Sequence, residues 1–187
     1  DGSNVRNFTA PLVETIGWRD YSEPKWSPDG TQLIFGSMAY WGMDGTSNWR
    51  ITVADVNDQD GSSFDALTNL WCDYIFGPER CGEYDADWSP DGATIVYNQY
   101  HSEQSPRWTT RLIRPDGTNE QVIAGYYCLE PAWSPDSAKI ACAGNQTPLV
   151  VMDRDGSNQQ TLTSFATFAD VFNPTWSPDQ TQIAFSG

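Results

Sequence analysis

The chain has 187 residues, 39% of them hydrophobic, which is enough for one domain with a core of its own. A formal net charge of −15, with Lys25 and Lys139 the only lysines, argues against nucleic acid and anionic membrane surfaces as partners and tilts the balance toward cationic ones. No apolar run approaches the roughly 18 residues of a membrane-spanning helix and no signal peptide is expected, the chain opening on Asp1 without a methionine as a processed product or an excised segment would.

Taken in chain order, the sequence repeats itself. "DGSNVRNFT" at the start reads as a polar strand opened by an Asp-Gly turn. "EPKWSPDGTQLIFGS" (23–37) then gives a strand ending on Trp26, a Ser-Pro-Asp-Gly turn, and a second strand antiparallel to the first. "WRITVAD" supplies a third strand and "DGSSFDALT" a fourth. The order returns behind Trp88 with "ATIVYNQ", "TRLIRPD" and "DGTNEQVIA", and behind Trp133 with "AKIACAG", "LVVMDRD" and "DGSNQQTLT". Behind Trp176 only "TQIAFSG" follows. The tryptophans lie 62, 45 and 43 residues apart, and the last two intervals define the repeat. In the turn, Pro presets φ at the second position, Asp suits the third, and Gly takes the left-handed position. Ser137 and Gln180 stand in for that Gly in the third and fourth copies, where the turn is expected to relax rather than accept roughly 1–2 kcal/mol of left-handed strain.

The strand after each turn is apolar on both faces, as in Leu33, Ile34 and Phe35 or Ile95, Val96 and Tyr97, and must be covered on both sides. Four short strands per repeat meet that condition when each repeat is one antiparallel sheet stacked face to face with its neighbours around an axis. The expected fold is therefore all-β: a single β-propeller domain over 1–187, with about four four-stranded blades and Trp26, Trp88, Trp133 and Trp176 wedged between them. One strand slot is empty, the third of the last blade. The arrangement is either a compact ring with one incomplete blade or a segment of a larger propeller. An unpaired edge at "TQIAFSG" invites a strand from another copy, and head-to-tail contacts of that kind propagate into a filament unless they close.

The string "PKWSPDGTQLIFGS…ITVADVNDQDG…ALT" resembles the TolB-like, WD-related propeller repeat, in four copies across essentially the whole chain. The resemblance implies blades and a periplasmic or extracellular home. It implies no single activity, because such propellers serve as partner-binding platforms, as gating domains on prolyl-oligopeptidase-like hydrolases and, occasionally, as lyases.

Cys128 and Cys142 flank the Trp133 hairpin and are expected to face each other across two paired strands, with Trp133 opposite Ala138. Cys142 fills the column held elsewhere by Phe35, Tyr97 and Phe185. Cys72 and Cys81 bracket a ten-residue loop that a second bridge could tie down. Two disulfides in an oxidising compartment are expected, free thiols in a reducing one being the alternative. "NFT" at Asn7 and "NQT" at Asn145 are candidate glycosylation sequons.

No catalytic motif stands out. There is one histidine, His101, which reads as an exposed loop residue, and there is no Gly-x-Ser-x-Gly, no phosphate loop and no Cys/His metal spacing. Neither catalysis nor a cofactor is expected. Asp85 and Asp87 form a carboxylate pair whose use on glycosides would depend on their separation. More informative are the departures from the repeat: "MAYWGMDGTSN" (38–48), "NLWCDYIFGPERCGEY" (69–84), "NQYHSEQSPR" (98–107) and "GYYCLEP" (125–131). In an up-and-down blade these connections emerge at one end. They gather Tyr40, Trp41, Trp71, Tyr74, Phe76, Tyr100 and Tyr126 with Asp44, Asp73 and His101. Aromatics beside carboxylates on a rigid scaffold suit a protein, peptide or glycan, unless the rings simply cover one another as a satellite core. The expected function is a non-catalytic, exported binding or scaffold module, self-assembling through its open edge. The competing reading is an accessory or catalytic propeller of a hydrolase or polysaccharide lyase.

Overall fold

The computed structural model describes residues 19–41, 46–58, 65–68, 81–102, 104–124, 128–144, 147–164 and 171–187, with the backbone alone at 19–21, 39–41, 46–48, 65, 129, 144 and 147. Blade one is β1 (Arg19–Trp26), β2 (Gln32–Trp41), β3 (Thr46–Asp55) and β4 (Asp65–Ala66). Blade two is β5 (Cys81–Trp88), β6 (Ile95–His101), β7 (Trp108–Ile113) and β8 (Gln121–Ala124). Blade three is β9 (Leu129–Trp133), β10 (Lys139–Gly144), β11 (Thr147–Asp153) and β12 (Gln160–Thr161). Blade four consists of β13 (Phe172–Trp176) and β14 (Ile183–Ser186). Consecutive strands within each blade pair antiparallel, and one parallel bridge, Trp49 to Gly82, links blades one and two. The described residues include no helix. The slot count made from the sequence holds where it can be seen, three sets of four and a final two. The N-terminal "DGSNVRNFT" lies outside the described residues.

Each repeated tryptophan ends the first strand of its blade, and the turn behind it is built by side chains as well as by backbone. Ser27 Oγ donates to Asp29 Oδ1 at 2.7 Å and accepts from Gln32 N–H at 2.9 Å, while Asp29 Oδ1 also accepts from Thr31 N–H at 3.0 Å. Ser89 with Asp91, Ser134 with Asp136, and Ser177 with Asp179 repeat the donation at 2.6 Å. This local bonding explains why Ser and Asp recur beside Pro. The closing position is left-handed in all four copies, with φ of 72° at Gly30, 70° at Gly92, 61° at Ser137 and 60° at Gln180. The expectation that the third and fourth turns relax is therefore corrected. Bonds on both sides hold them in register: Ser137 N–H to Ser134 O at 2.8 Å and Lys139 N–H to Ser134 Oγ at 2.9 Å in one, Gln180 N–H to Ser177 O and Gln182 N–H to Ser177 Oγ in the other.

A second left-handed residue recurs three positions before each tryptophan: Glu23, Asp85, Glu130 and Asn173, with φ between 49° and 55°. The pairing shifts there in every blade, a β-bulge in the first strand. The turn of the third hairpin is longer than expected, closing with Ser134 N–H on Lys139 O, so that Trp133 lies opposite Ile140 rather than Ala138. Cys128 and Cys142 still meet, with Cα atoms 5.0 Å apart, in a disulfide. Cys81 is disulfide-bonded as well. Cys72 lies outside the described residues.

Three cores alternate with the blades. Ile34, Ile51 and Val53 of blade one close on Trp88, Ile95, Tyr97 and Ile113 of blade two. Val96 and Leu112 of blade two close on Trp133, Ile140, Cys142 and Met152 of blade three. Ala141, Leu149 and Val151 of blade three close on Trp176, Ile183 and Phe185 of blade four. In the second strand, then, the middle apolar residue faces forward and its two neighbours face back, which is why the sequence shows no alternation there. Polar ties cross the same joints. Asn98 Nδ2 donates to Cys128 O at 2.5 Å, Arg154 Nη1 reaches Asp91 Oδ2 at 2.7 Å, and Trp176 Nε1 donates to Ala132 O at 3.1 Å.

The wedge assignment holds for three of the four tryptophans. Trp88 and Trp133 are each 6% exposed and Trp176 is half-buried, whereas Trp26 is 61% exposed. The physical reason is positional. Each wedge packs backward onto the preceding blade, and no described blade precedes the first.

Candidate binding surface

The connections β2–β3 and β6–β7 emerge at the same end as the start of β5, as the register shows: Trp41 pairs with Thr46, Tyr100 with Trp108, and Cys81 with His101. That end carries a run of four half-buried rings. Trp49 and Tyr84 lie 6.5 Å apart between centroids, Tyr84 and Trp108 5.8 Å, and Tyr100 and Trp108 4.8 Å, all at tilted angles. Neighbouring strands bring them together, since Trp49 bridges to Gly82, Gly82 pairs with Tyr100, and Tyr100 pairs with Trp108. Gly82 leaves room for this stack: a Cβ there would strike the Tyr84 ring and hydroxyl. Burial, with Asp85 and Tyr100 nearby, pushes the Tyr84 hydroxyl up from its ordinary value, so it remains a neutral donor at neutral pH.

Of the residues singled out in the sequence, Tyr100 belongs to this stack. His101 is the last residue of β6 and is half-buried, its N–H donating to Arg107 O at 2.9 Å. It is not an exposed loop residue, because β6 extends to pair with Cys81. Tyr40 and Trp41 are on β2, their backbones paired with Ser47 and Thr46. Asp44, Trp71, Asp73, Tyr74, Phe76, Tyr126, Asn7 and Asn145 lie outside the described residues. Sequence reasoning missed Trp49, Tyr84 and Trp108. Their signal is in the sequence: Tyr84 closes the inserted segment 69–84, and Trp49 and Trp108 follow the insertions 38–48 and 98–107 directly.

The bulge residues form a second feature that the sequence did not disclose. Glu23 lies beside Asp85, Asp85 accepts from Asn98 Nδ2 at 3.1 Å, and Glu130 accepts from Asn173 N–H at 2.7 Å. Burial and then the Asp85 charge push Glu23 upward. Asp85 and Asp87 do not act as a pair. Asp87 turns to Lys25 at 3.4 Å while Asp85 turns to Glu23 and Asn98. Among the described residues no group of three or more His, Cys, Asp or Glu side chains is placed to hold a metal ion.

No protein-family model matches the chain. In an alignment of 183 positions that covers 94% of this chain, it is 34% identical to the Tol-Pal system protein TolB of Anaeromyxobacter dehalogenans strain 2CP-C. The chain is a TolB-like β-propeller. It spans 36% of that relative's length. Among solved structures, the TolB-like chain matches a protein assigned as TolB from Agrobacterium tumefaciens with a TM-score of 0.63 at 19% identity, over 89% of this chain and 53% of that one. It matches an oligogalacturonate lyase in complex with manganese with a TM-score of 0.63 at 20% identity, over 90% of this chain and 45% of that one. At such identities the two structures speak to the fold alone, and that fold is the propeller.

Proposed function

We propose that this TolB-like chain is a non-catalytic binding module that engages a protein partner through the aromatic end of blades one and two. The observation that carries the reading is the stack Trp49–Tyr84–Trp108–Tyr100, whose rings are held on paired strands and left half-buried. Rigid, partly covered aromatics lose little conformational freedom on contact and supply large apolar area, the properties of interface anchors. The net charge of −15 favours a basic partner surface and fast encounter with it. Likeness to a Tol-Pal system protein supports a role in protein–protein contact, and the Cys128–Cys142 disulfide supports an exported, oxidising home.

The test uses the chain immobilised against a displayed peptide library and a glycan array, with Trp108→Ala and Tyr100→Ala in parallel and circular dichroism as the folding control. Peptide binders selected on the chain should lose roughly tenfold or more in affinity on either variant. Binders indifferent to both substitutions would overturn the assignment of the site. Release of unsaturated products from oligogalacturonate, abolished by His101→Ala, would overturn the non-catalytic reading.

A further inference from the structure

We propose that the cavity between blades one and two binds an organic monocation, a primary ammonium or guanidinium on an aliphatic stem, with Glu83 as its counter-ion. The cavity has a volume of about 350 Å³, and its lining includes Glu83, Gln99, Arg111 and Glu120 beside the apolar Leu67 and Ile113. None of these residues belongs to the aromatic stack, so the site is separate from it. Charge counting inside the cavity leaves one carboxylate without a cation. Glu120 takes Arg111 Nη1 at 2.8 Å and the Tyr97 hydroxyl. Glu83 is 1% exposed, and its partners among the described residues are all neutral: the Thr68 hydroxyl, Gln99 Nε2 at 3.4 Å and Ile51 N–H at 3.4 Å. Two of those bonds are at the long limit, so the charge on Glu83 is weakly held. A buried carboxylate in that state gains most from a cation in contact with it. Among the described residues Arg111 is the cation that lines the cavity, and it is committed to Glu120.

The walls select the rest of the ligand. Leu67 of blade one and Ile113 of blade two offer apolar surface to a stem, and the Thr68 hydroxyl and the Gln104 amide, which also line the cavity, can accept from further N–H groups. Arg111 repels a second positive charge, and a bare metal ion would lack the several oxygen ligands it requires. Uptake of the cation displaces a proton, because burial pushes Glu83 up to about 7 and the empty site is part neutral at neutral pH. Blade one presents Glu83 only with Thr68 and a backbone N–H. Blade two presents Glu120, Arg111 and Tyr97, and burial pushes the Tyr97 hydroxyl up, so it stays neutral. On β5 itself, Asp85 and Asp87 turn to Asn98 and Lys25. His101 follows Gln99 by two residues on β6 and so shares its face. Affinity should therefore rise about tenfold from about pH 6 to about pH 8, in step with the charged fraction of Glu83.

Isothermal titration calorimetry of the 187-residue chain tests this. The probes are n-pentylamine and n-butylguanidine as free cations, blocked Gly-Lys-Gly and Gly-Arg-Gly peptides carrying the same groups, and pentanol as the neutral control. The cations should bind at a single site with release of protons to the buffer, read from heats that vary with the buffer's ionisation enthalpy, and pentanol should not bind. Glu83→Gln should weaken binding tenfold or more and abolish the proton release. Gln104→Lys, at an exposed position, brings a tethered ammonium to the cavity and should also weaken binding, with no change in the circular dichroism spectrum. His101→Gln should keep the parent's pH profile. Binding of the peptides assigns the site to a basic side chain of a partner, and binding of the free cations alone assigns it to a small amine. Cations that fail to bind would overturn the proposal, as would binding that neither Glu83→Gln nor Gln104→Lys weakens. So would a pH profile that follows His101 rather than Glu83.

Discussion

Ser137 and Gln180 hold left-handed backbone that glycine holds in the first two turns, and the two sites should respond differently to substitution. Gln180→Gly relieves the conformation and should stabilise the protein by up to about 1 kcal/mol in urea denaturation. Ser137→Gly should gain less, because Ser137 Oγ accepts from Asp91 N–H at 3.0 Å across the joint between blades two and three, and that bond would be lost. Asp91 sits at the same joint. Partial burial pushes its carboxyl up, but the Ser89 hydroxyl, Ala93 N–H and Arg154 outweigh it and hold the group at about 2. It therefore stays charged, and the tie to Arg154 stays intact, through mildly acidic conditions. The sequence showed that these turns exist. It did not show that they bond to the next blade, because the partners stand 46 and 63 residues apart.

The element that decides stability is the joint rather than the blade. Trp88→Ala should cost about 3–5 kcal/mol, since the indole is 6% exposed in the core between blades one and two. Trp26→Ala, at the same place in the repeat but exposed, should cost under about 1 kcal/mol. Chemical denaturation of the two variants side by side measures the difference, and equal losses would contradict the backward-packing assignment. The Cys128–Cys142 disulfide ties the first two strands of blade three across the bulge at Glu130. Replacing both cysteines with alanine should cost roughly 3 kcal/mol, the value for a closed loop of about 15 residues, with the transition still cooperative.

Across the molecule, Glu83 links blade one to blade two from a fully buried position. Its carboxylate accepts from the Thr68 hydroxyl of blade one, from Gln99 Nε2 of blade two and, at 3.4 Å, from Ile51 N–H. Burial dominates these bonds and pushes the group from 4.5 up to about 7. Below pH 4.5 the carboxyl is neutral in both folded and unfolded chains and costs nothing. As pH rises toward 7 the unfolded chain releases the proton that the folded one keeps, and stability falls by an amount on the order of 3 kcal/mol in full. Thermal melts between about pH 4.5 and 7 should show that loss, and Glu83→Gln should flatten its share of the slope. A variant with the parent's pH profile would remove Glu83 from the account.

The sequence by itself determined the blades: the period, the tryptophan that closes each first strand, the left-handed turn and the two-faced second strand are all local, and a repeat shows local rules several times over. It also pointed to the end of the propeller where the inserted loops and Tyr100 lie. Only the tertiary structure decided which three tryptophans are buried, that Glu23, Asp85, Glu130 and Asn173 bulge toward one another, and that Trp49, Tyr84, Tyr100 and Trp108 form one stack. Those facts depend on contacts between strands of different blades, and a tryptophan's burial is set by whether another blade lies behind it, which the letters around it do not encode.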